Sequence, residues 1–164
     1  MTMQVSIPPH LAEFWAKFVA ANPNVNEARF YEAFCFGDSE ELATELADLV
    51  LSGVKRATTG ALWSYQNDEK LPPRPGDLSI VTNWAGLPLC VIETESADIV
   101  AFRNVTAEFA AIEGEGDGSL SFWQDGHRRY FGRECARAGR EFGEDMLVVC
   151  ECFKVVYQAS SHKN

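Results

Sequence analysis

The hydrophobic period of this chain first changes at Gly53, and that change limits the folds open to it. Before Gly53 apolar residues recur at helical spacing; after it come short β runs separated by glycine and proline. Behind Pro8-Pro9, the run LAEFWAKFVAAN places Leu11, Phe14, Trp15, Phe18 and Val19 on one helical face, and Pro23 stops it. The pattern predicts a second short helix from Glu27 to Phe34. A third opens after Gly37 with Asp38 or Ser39 as N-cap, runs through Leu42, Leu46, Leu49 and Val50, and closes at Gly53.

Beyond Gly53, RATTGALW, DLSIVTNW and PLCVIETESADIVAF predict successive strands, with LPPRPG as a turn between the first two. A helix from about Val105 to Glu113, capped by Asn104 or Thr106, leads into the loop GEGDGS. A longer helix from about Ser119 to Ala138 follows, capped by Ser119 and weakened at Asp125-Gly126. MLVVCECFKVVY closes the pattern as a long strand. Four or five strands with crossing helices predict an α+β domain built on a small, partly open β-barrel. No repeat, low-complexity tract or long linker divides the 164 residues.

Charge then narrows the function. Fourteen Lys and Arg against 24 Asp and Glu give a net charge of -10, which excludes nonspecific coating of nucleic acid or anionic lipid. With 46% hydrophobic residues the chain is no disordered tail. None of Cys35, Cys90, Cys135, Cys150 and Cys152 forms a C-x-x-C pair. Cys150 and Cys152 share one face of the last strand and read as small buried thiols rather than metal ligands. Free thiols point to a reducing compartment, and no leader or run of about 20 apolar residues is visible, so a cytoplasmic location without membrane contact is expected.

Three segments carry polar residues that packing alone does not explain. In Gly53-Val54-Lys55-Arg56-Ala57-Thr58-Thr59 a helix end feeds a strand, and the two cations suit the helix's negative pole. Thr58 and Thr59 follow within reach of the same ammonium, and a Lys drawn into a barrel mouth would serve as base or oxyanion stabiliser. In the loop from Glu113 to Ser119, Glu113, Glu115 and Asp117 alternate with glycines. It reads equally as a capped helix entry or as a source of a general acid or base, and it makes Mg²⁺ or Mn²⁺ worth testing. In the third, Arg128, Arg129, Arg133, Arg137 and Arg140 locally reverse the acidic average. Trp123, His127 and Tyr130 or Phe131 share a face there, as a core stripe or as a base-stacking surface. His127 has no sequence-near His or Cys, so no metal ligand is assigned.

The runs FCFGDSEELATELADLVLSGVKRATTGALW, LPPRPGDLSIVTNW, LPLCVIET and FAAIEGEGDGSLSFWQDGHRRYF together resemble the ASCH domain, in a longer branch once filed as a domain of unknown function. The resemblance spans roughly Phe34 to Tyr157 and rests on Gly53, Lys55 and Thr58 of a G-x-K-x-x-T core, the EGEGDGSL loop and the pair Trp123 and His127. It implies a PUA-like barrel over residues 34–158, an N-terminal helical extension over 1–33 and a tail over 159–164. Its cleft beside the G-x-K-x-x-T segment is expected to bind RNA.

Some short members of the family remove the acetyl group from N4-acetylcytidine, and others behave as ribonucleases. The motif Lys matches Lys55 and the motif Thr matches Thr58; the downstream carboxylate matches Glu115 best, then Asp117, with Glu113 also in place. The N-terminal extension, the acidic loop and the Arg-rich helix depart from the short amidohydrolases, so a ribonuclease acting on single-stranded RNA is the favoured implication. There Lys55 stabilises the phosphate, Glu115 or an imidazole is the base, and Arg56, Arg128 and Arg129 hold flanking phosphates. Trp63, Tyr65 or Trp84 stack bases, while Thr59, Asp117, Ser119, Trp123 and His127 complete the expected binding set. In the alternative, Thr58 is the nucleophile of amide hydrolysis on a modified nucleoside, with Lys55 its base. A binding module without chemistry is the third reading. Monomer and dimer both stay open.

Overall fold

Why the chain changes period at Gly53 is visible in the computed structural model, which describes residues 5–160. Residues 1–4 and 161–164, part of the expected extension and most of the expected tail, lie outside the described residues. The strands are β1 (Phe30–Phe34), β2 (Ala57–Ala61), β3 (Leu78–Thr82), β4 (Pro88–Ala101) and β5 (Leu147–Gln158). The helices are α1 (Ala12–Ala21), α2 (Glu40–Leu51), α3 (Leu62–Asn67), α4 (Ala107–Glu113) and α5 (Leu120–Arg137). The fold is α+β, as expected.

One mixed sheet runs in the order β1-β3-β4-β5-β2. The long antiparallel pair of β4 and β5 forms its spine, paired from Cys90 with Gln158 to Ala101 with Leu147. Register shifts near Ile92 and Thr94 bend that ribbon, as bulges do. Its two ends therefore serve different neighbours: β3 pairs with residues 88–93 of β4, and β2 with residues 148–152 of β5.

Two expectations need correction. The segment from Glu27 to Phe34 is not helical: a single 3-10 turn at Glu27–Arg29 leads into β1, which runs parallel to β3. So short an apolar stretch cannot repay helix nucleation, whereas the edge of β3 supplies ready backbone partners. The RATTGALW strand stops at Ala61, and Trp63 lies on α3. The expectation of a partly open barrel holds, in that the sheet does not close: β1 and β2 each have one strand neighbour.

Three apolar clusters hold the layers together. Phe14, Trp15 and Phe18 of α1 pack on Phe30, Leu78, Ile80 and Val91, so the N-terminal segment shares the sheet's core. Leu46 and Val50 of α2 cover Val81, Cys90, Ile92 and Phe153. Ala110, Trp123 and Phe131 of α4 and α5 cover Ala61, Val148 and Cys150. Each large side chain so buried contributes about 1.5–3 kcal/mol. Ser39, Thr106 and Ser119 cap α2, α4 and α5 through side-chain acceptors, as their sequence positions imply. All five cysteines are free thiols.

Candidate functional site

The positive φ of +83° at Gly53 ends α2 and turns the chain back, letting Val54 and Lys55 both donate backbone N–H groups to Leu49. Arg56 N–H then bonds the carbonyl of Ile112, which sews this segment to the end of α4. The result drives Lys55 inward, where it is 1% exposed. Its Nζ donates to Ala57 O at 2.7 Å, Glu113 Oε2 at 3.1 Å and Glu115 Oε2 at 3.2 Å. All three ammonium protons have acceptors, so Lys55 sits there as a cation.

Glu113 is the hub. Its Oε1 accepts from Thr59 Oγ1 at 2.7 Å and Trp123 Nε1 at 2.9 Å, and its Oε2 from Lys55 and from His127 Nε2 at 3.0 Å. His127 Nδ1 lies 2.8 Å from Trp123 O. Both ring nitrogens face oxygen acceptors, so both donate and the ring is an imidazolium. Burial opposes that charge, but Glu113 and Glu115 outweigh it and raise the ring's pKa. Burial likewise pushes Glu113 up, yet Lys55 and His127 prevail and hold its carboxyl well below the usual carboxylate range. Glu115 goes the other way: burial, then its contact with Glu113, push it up to about 7.

A cleft of about 410 Å³ opens on this cluster. Glu32 and Phe34 of β1 line one side, and Thr58, Thr59 and Gly60 of β2 the other. The gap left by the unclosed sheet is therefore the cleft itself. Phe36, Leu42 and Leu46 add an apolar wall, and Tyr65, Tyr130 and Arg133 complete the rim.

The sequence-predicted residues divide between this cleft and elsewhere. Lys55, Thr58, Thr59, Tyr65, Glu115, His127 and Arg129 line it. Trp123 is buried behind Glu113 and stacks on the His127 ring at 4.1 Å, so it braces the site rather than offering a face to a base. Arg128 turns away to Glu144 at 2.7 Å and Asp125 at 3.4 Å. Asp117 and Ser119 cap the start of α5, with Asp117 accepting from Ser119 N–H and Ser119 from Phe122 N–H. Arg56 is exposed with its carbonyl bonded to Phe153, and the Trp63 ring lies under Arg140 at 4.6 Å. Trp84 is exposed in the turn between β3 and β4.

Two residues carry more than sequence reasoning gave them. Glu113 stood only as one of three loop acids. Glu151, unnamed there, is buried on β5 opposite Thr58 and lines the cleft. The one available signal was a charge set between Cys150 and Cys152 in an otherwise apolar strand.

Glu113, Glu115 and His127 present ligand-type atoms within 4.8 Å of one another. Lys55 Nζ, however, lies between the two carboxylates where a cation would sit, and the imidazolium has no lone pair to give. The donor set does not suit Mg²⁺ or Mn²⁺, which prefer several oxygen ligands.

Among the described residues no helix is long and apolar enough to cross a membrane. Comparison with known proteins finds no curated protein that matches. Two solved structures resemble the chain over most of its length. One is an ASCH domain from Lactobacillus crispatus JV V101, 39% identical, covering 93% of this chain and 98% of its own with a TM-score of 0.84. The other, from Enterococcus faecalis V583 and assigned to a family of unknown function, is 31% identical, covering 94% and 96% with a TM-score of 0.82. The model of the ASCH domain, a PUA-like fold, matches residues 32–157, and the chain belongs to that family.

Proposed function

We propose that the cleft is a hydrolytic site for a nucleoside-sized substrate, cleaving an amide on the base as in removal of the acetyl group from N4-acetylcytidine. The observation that carries this reading is that the Lys55 charge is already matched, by Glu113 at 3.1 Å and Glu115 at 3.2 Å. Glu32, Glu45, Glu113, Glu115 and Glu151 line the cleft against Lys55, His127, Arg129 and Arg133, and Arg133 is itself paired with Asp38 at 2.8 Å. A scissile phosphate would bring its own negative charge into that field before any reaction, whereas an amide enters neutral. The volume of about 410 Å³ also suits a small molecule better than an RNA strand. Amide hydrolysis therefore ranks above the ribonuclease reading.

In the reaction, the Thr58 hydroxyl attacks the amide carbon; among the described residues it makes no side-chain hydrogen bond, whereas Thr59 is committed to Glu113. Glu115, poised at about 7, takes the hydroxyl proton and returns it to the leaving nitrogen. As Glu115 takes up the proton its pairing with Lys55 weakens, and the Lys55 charge so freed stabilises the oxyanion; Lys55 is not the base. Water then attacks the acyl carbon; Glu115 takes its proton and passes it to Thr58 Oγ as the acyl–oxygen bond breaks, so acetate leaves and both side chains are restored. Glu113 stays ionised and positions Lys55 and His127.

Purified protein incubated with N4-acetylcytidine is expected to release acetate, and Lys55→Ala or Glu115→Gln to lower kcat/KM by about 100-fold or more. A single-stranded oligoribonucleotide should survive the same incubation intact. Lys55-dependent shortening of that RNA without acetate release would put the nuclease reading in its place.

A further inference from the structure

We propose that Glu151 reads the substrate's base, accepting a hydrogen bond from an exocyclic amino N–H, so that the cleft selects amino-substituted bases over their keto counterparts. The proposal rests on the cleft taking a nucleoside-sized ligand. Glu151 stands mid-strand on β5, is 7% exposed, and is held from behind by Thr94 Oγ1, which donates to its Oε2 at 2.6 Å. Among the described residues its Oε1 accepts no hydrogen bond and forms no ion pair, yet the side chain lines the cleft. That oxygen stays open to the cleft, and a ligand that covers it strips it of water, so one that brings an N–H in return is favoured. A keto oxygen in the same place would set lone pair against lone pair. Glutamate accepting from the amino group of cytosine is a recurrent pairing of this chemistry.

The charge state of Glu151 gives the selection a pH dependence. Burial is the chief cause that pushes its carboxyl up to about 7, with the bond from Thr94 opposing. Glu32 from β1 and Asp77 ahead of β3 face it and push the same way, while Lys55 ahead of β2 pulls it down. The hydroxyls of Tyr31 and Tyr65 stand in the same field. Below about pH 7 a proton on Oε1 turns that atom into a donor, and a keto oxygen becomes acceptable.

Cytidine and uridine, nearly isosteric, provide the test by calorimetric titration at pH 8 and pH 5.5. Wild type is expected to bind cytidine about tenfold more tightly at pH 8, with the ratio narrowing at pH 5.5. In Glu151→Gln the amide oxygen takes the bond from Thr94 and the NH₂ faces the cleft, so the preference turns toward uridine and loses its pH dependence. Should that variant fail to fold, Thr94→Val removes the bond that lowers the carboxyl, and the pH at which the ratio narrows moves upward. Equal affinity for the two nucleosides in wild type at pH 8, or a ratio untouched by the variant that folds, overturns the assignment. Failure to bind either nucleoside overturns the site reading with it. Acetate release is scored separately: its absence with the ratio intact removes the hydrolytic reading and leaves Glu151 its role.

Discussion

Glu113 receives four hydrogen bonds on two oxygens, from Thr59, Lys55, Trp123 and His127, and two of those donors are cations. Removing its charge leaves Lys55 and His127 to share Glu115, at 3.2 and 3.9 Å, in a buried space. Glu113→Gln is therefore expected to lower stability by about 3–5 kcal/mol, read from urea unfolding. Glu115→Gln makes the same chemical change two residues away and should be far milder at pH 7, because Glu115 is already near half-protonated there. Equal losses in the two variants would contradict the hub. Local pattern did not separate these acids, and the family resemblance favoured Glu115 over Glu113. What separates them is donors arriving from 58, 54, 14 and 10 residues away, on elements whose approach no local pattern encodes. The shared face of Trp123 and His127, by contrast, was legible, because four-residue spacing on a helix fixes it wherever the helix goes.

At the scale of the element, the site depends on how α4 ends against the segment ahead of β2. Gly114 ends α4 at a φ of +70°, and a Cβ there would strike the Val54 carbonyl. Gly114→Ala is expected to lose about 1–3 kcal/mol and to lower activity, since Glu113 and Glu115 flank the displaced turn. Gly118 has a similar φ of +77° but open space around it, so Gly118→Ala should leave turnover nearly unchanged. Parallel loss of activity in both would point to loop stiffness rather than to the clash. The caps at Ser39, Thr106 and Ser119 were readable because a cap is local chemistry. The strand β1 was not: its stability comes from Leu78–Val81, some 48 residues on, and nothing in FYEAF announces that partner.

For the whole molecule, pH sets the balance. Glu115, Glu151 and His127 all hold protons more tightly folded than unfolded, so between about pH 5 and pH 8 the folded state binds the excess. Stability must then fall as pH rises through that window. Glu113, Asp38 and Asp117 are held low and contribute stability that disappears only as pH drops below about 4. Thermal melts should accordingly place the maximum near pH 5, with a Tm several degrees lower at pH 8 and a shallower decline in Glu151→Gln. A Tm that climbs from pH 5.5 to pH 8 would refute the protonation pattern. The net charge of -10 adds self-repulsion in the same direction.

The unclosed sheet has one more consequence. A sheet with two free edges ordinarily offers two templates on which another chain can add a strand, and such templates seed aggregation. Here both edges, β1 and β2, border one cleft, with Glu32 on one bank and Glu113, Glu115 and Glu151 around the other. An invading apolar strand would have to seat itself among those carboxylates. The gap that admits a small ligand thus also guards the fold against polymerising on its own edges.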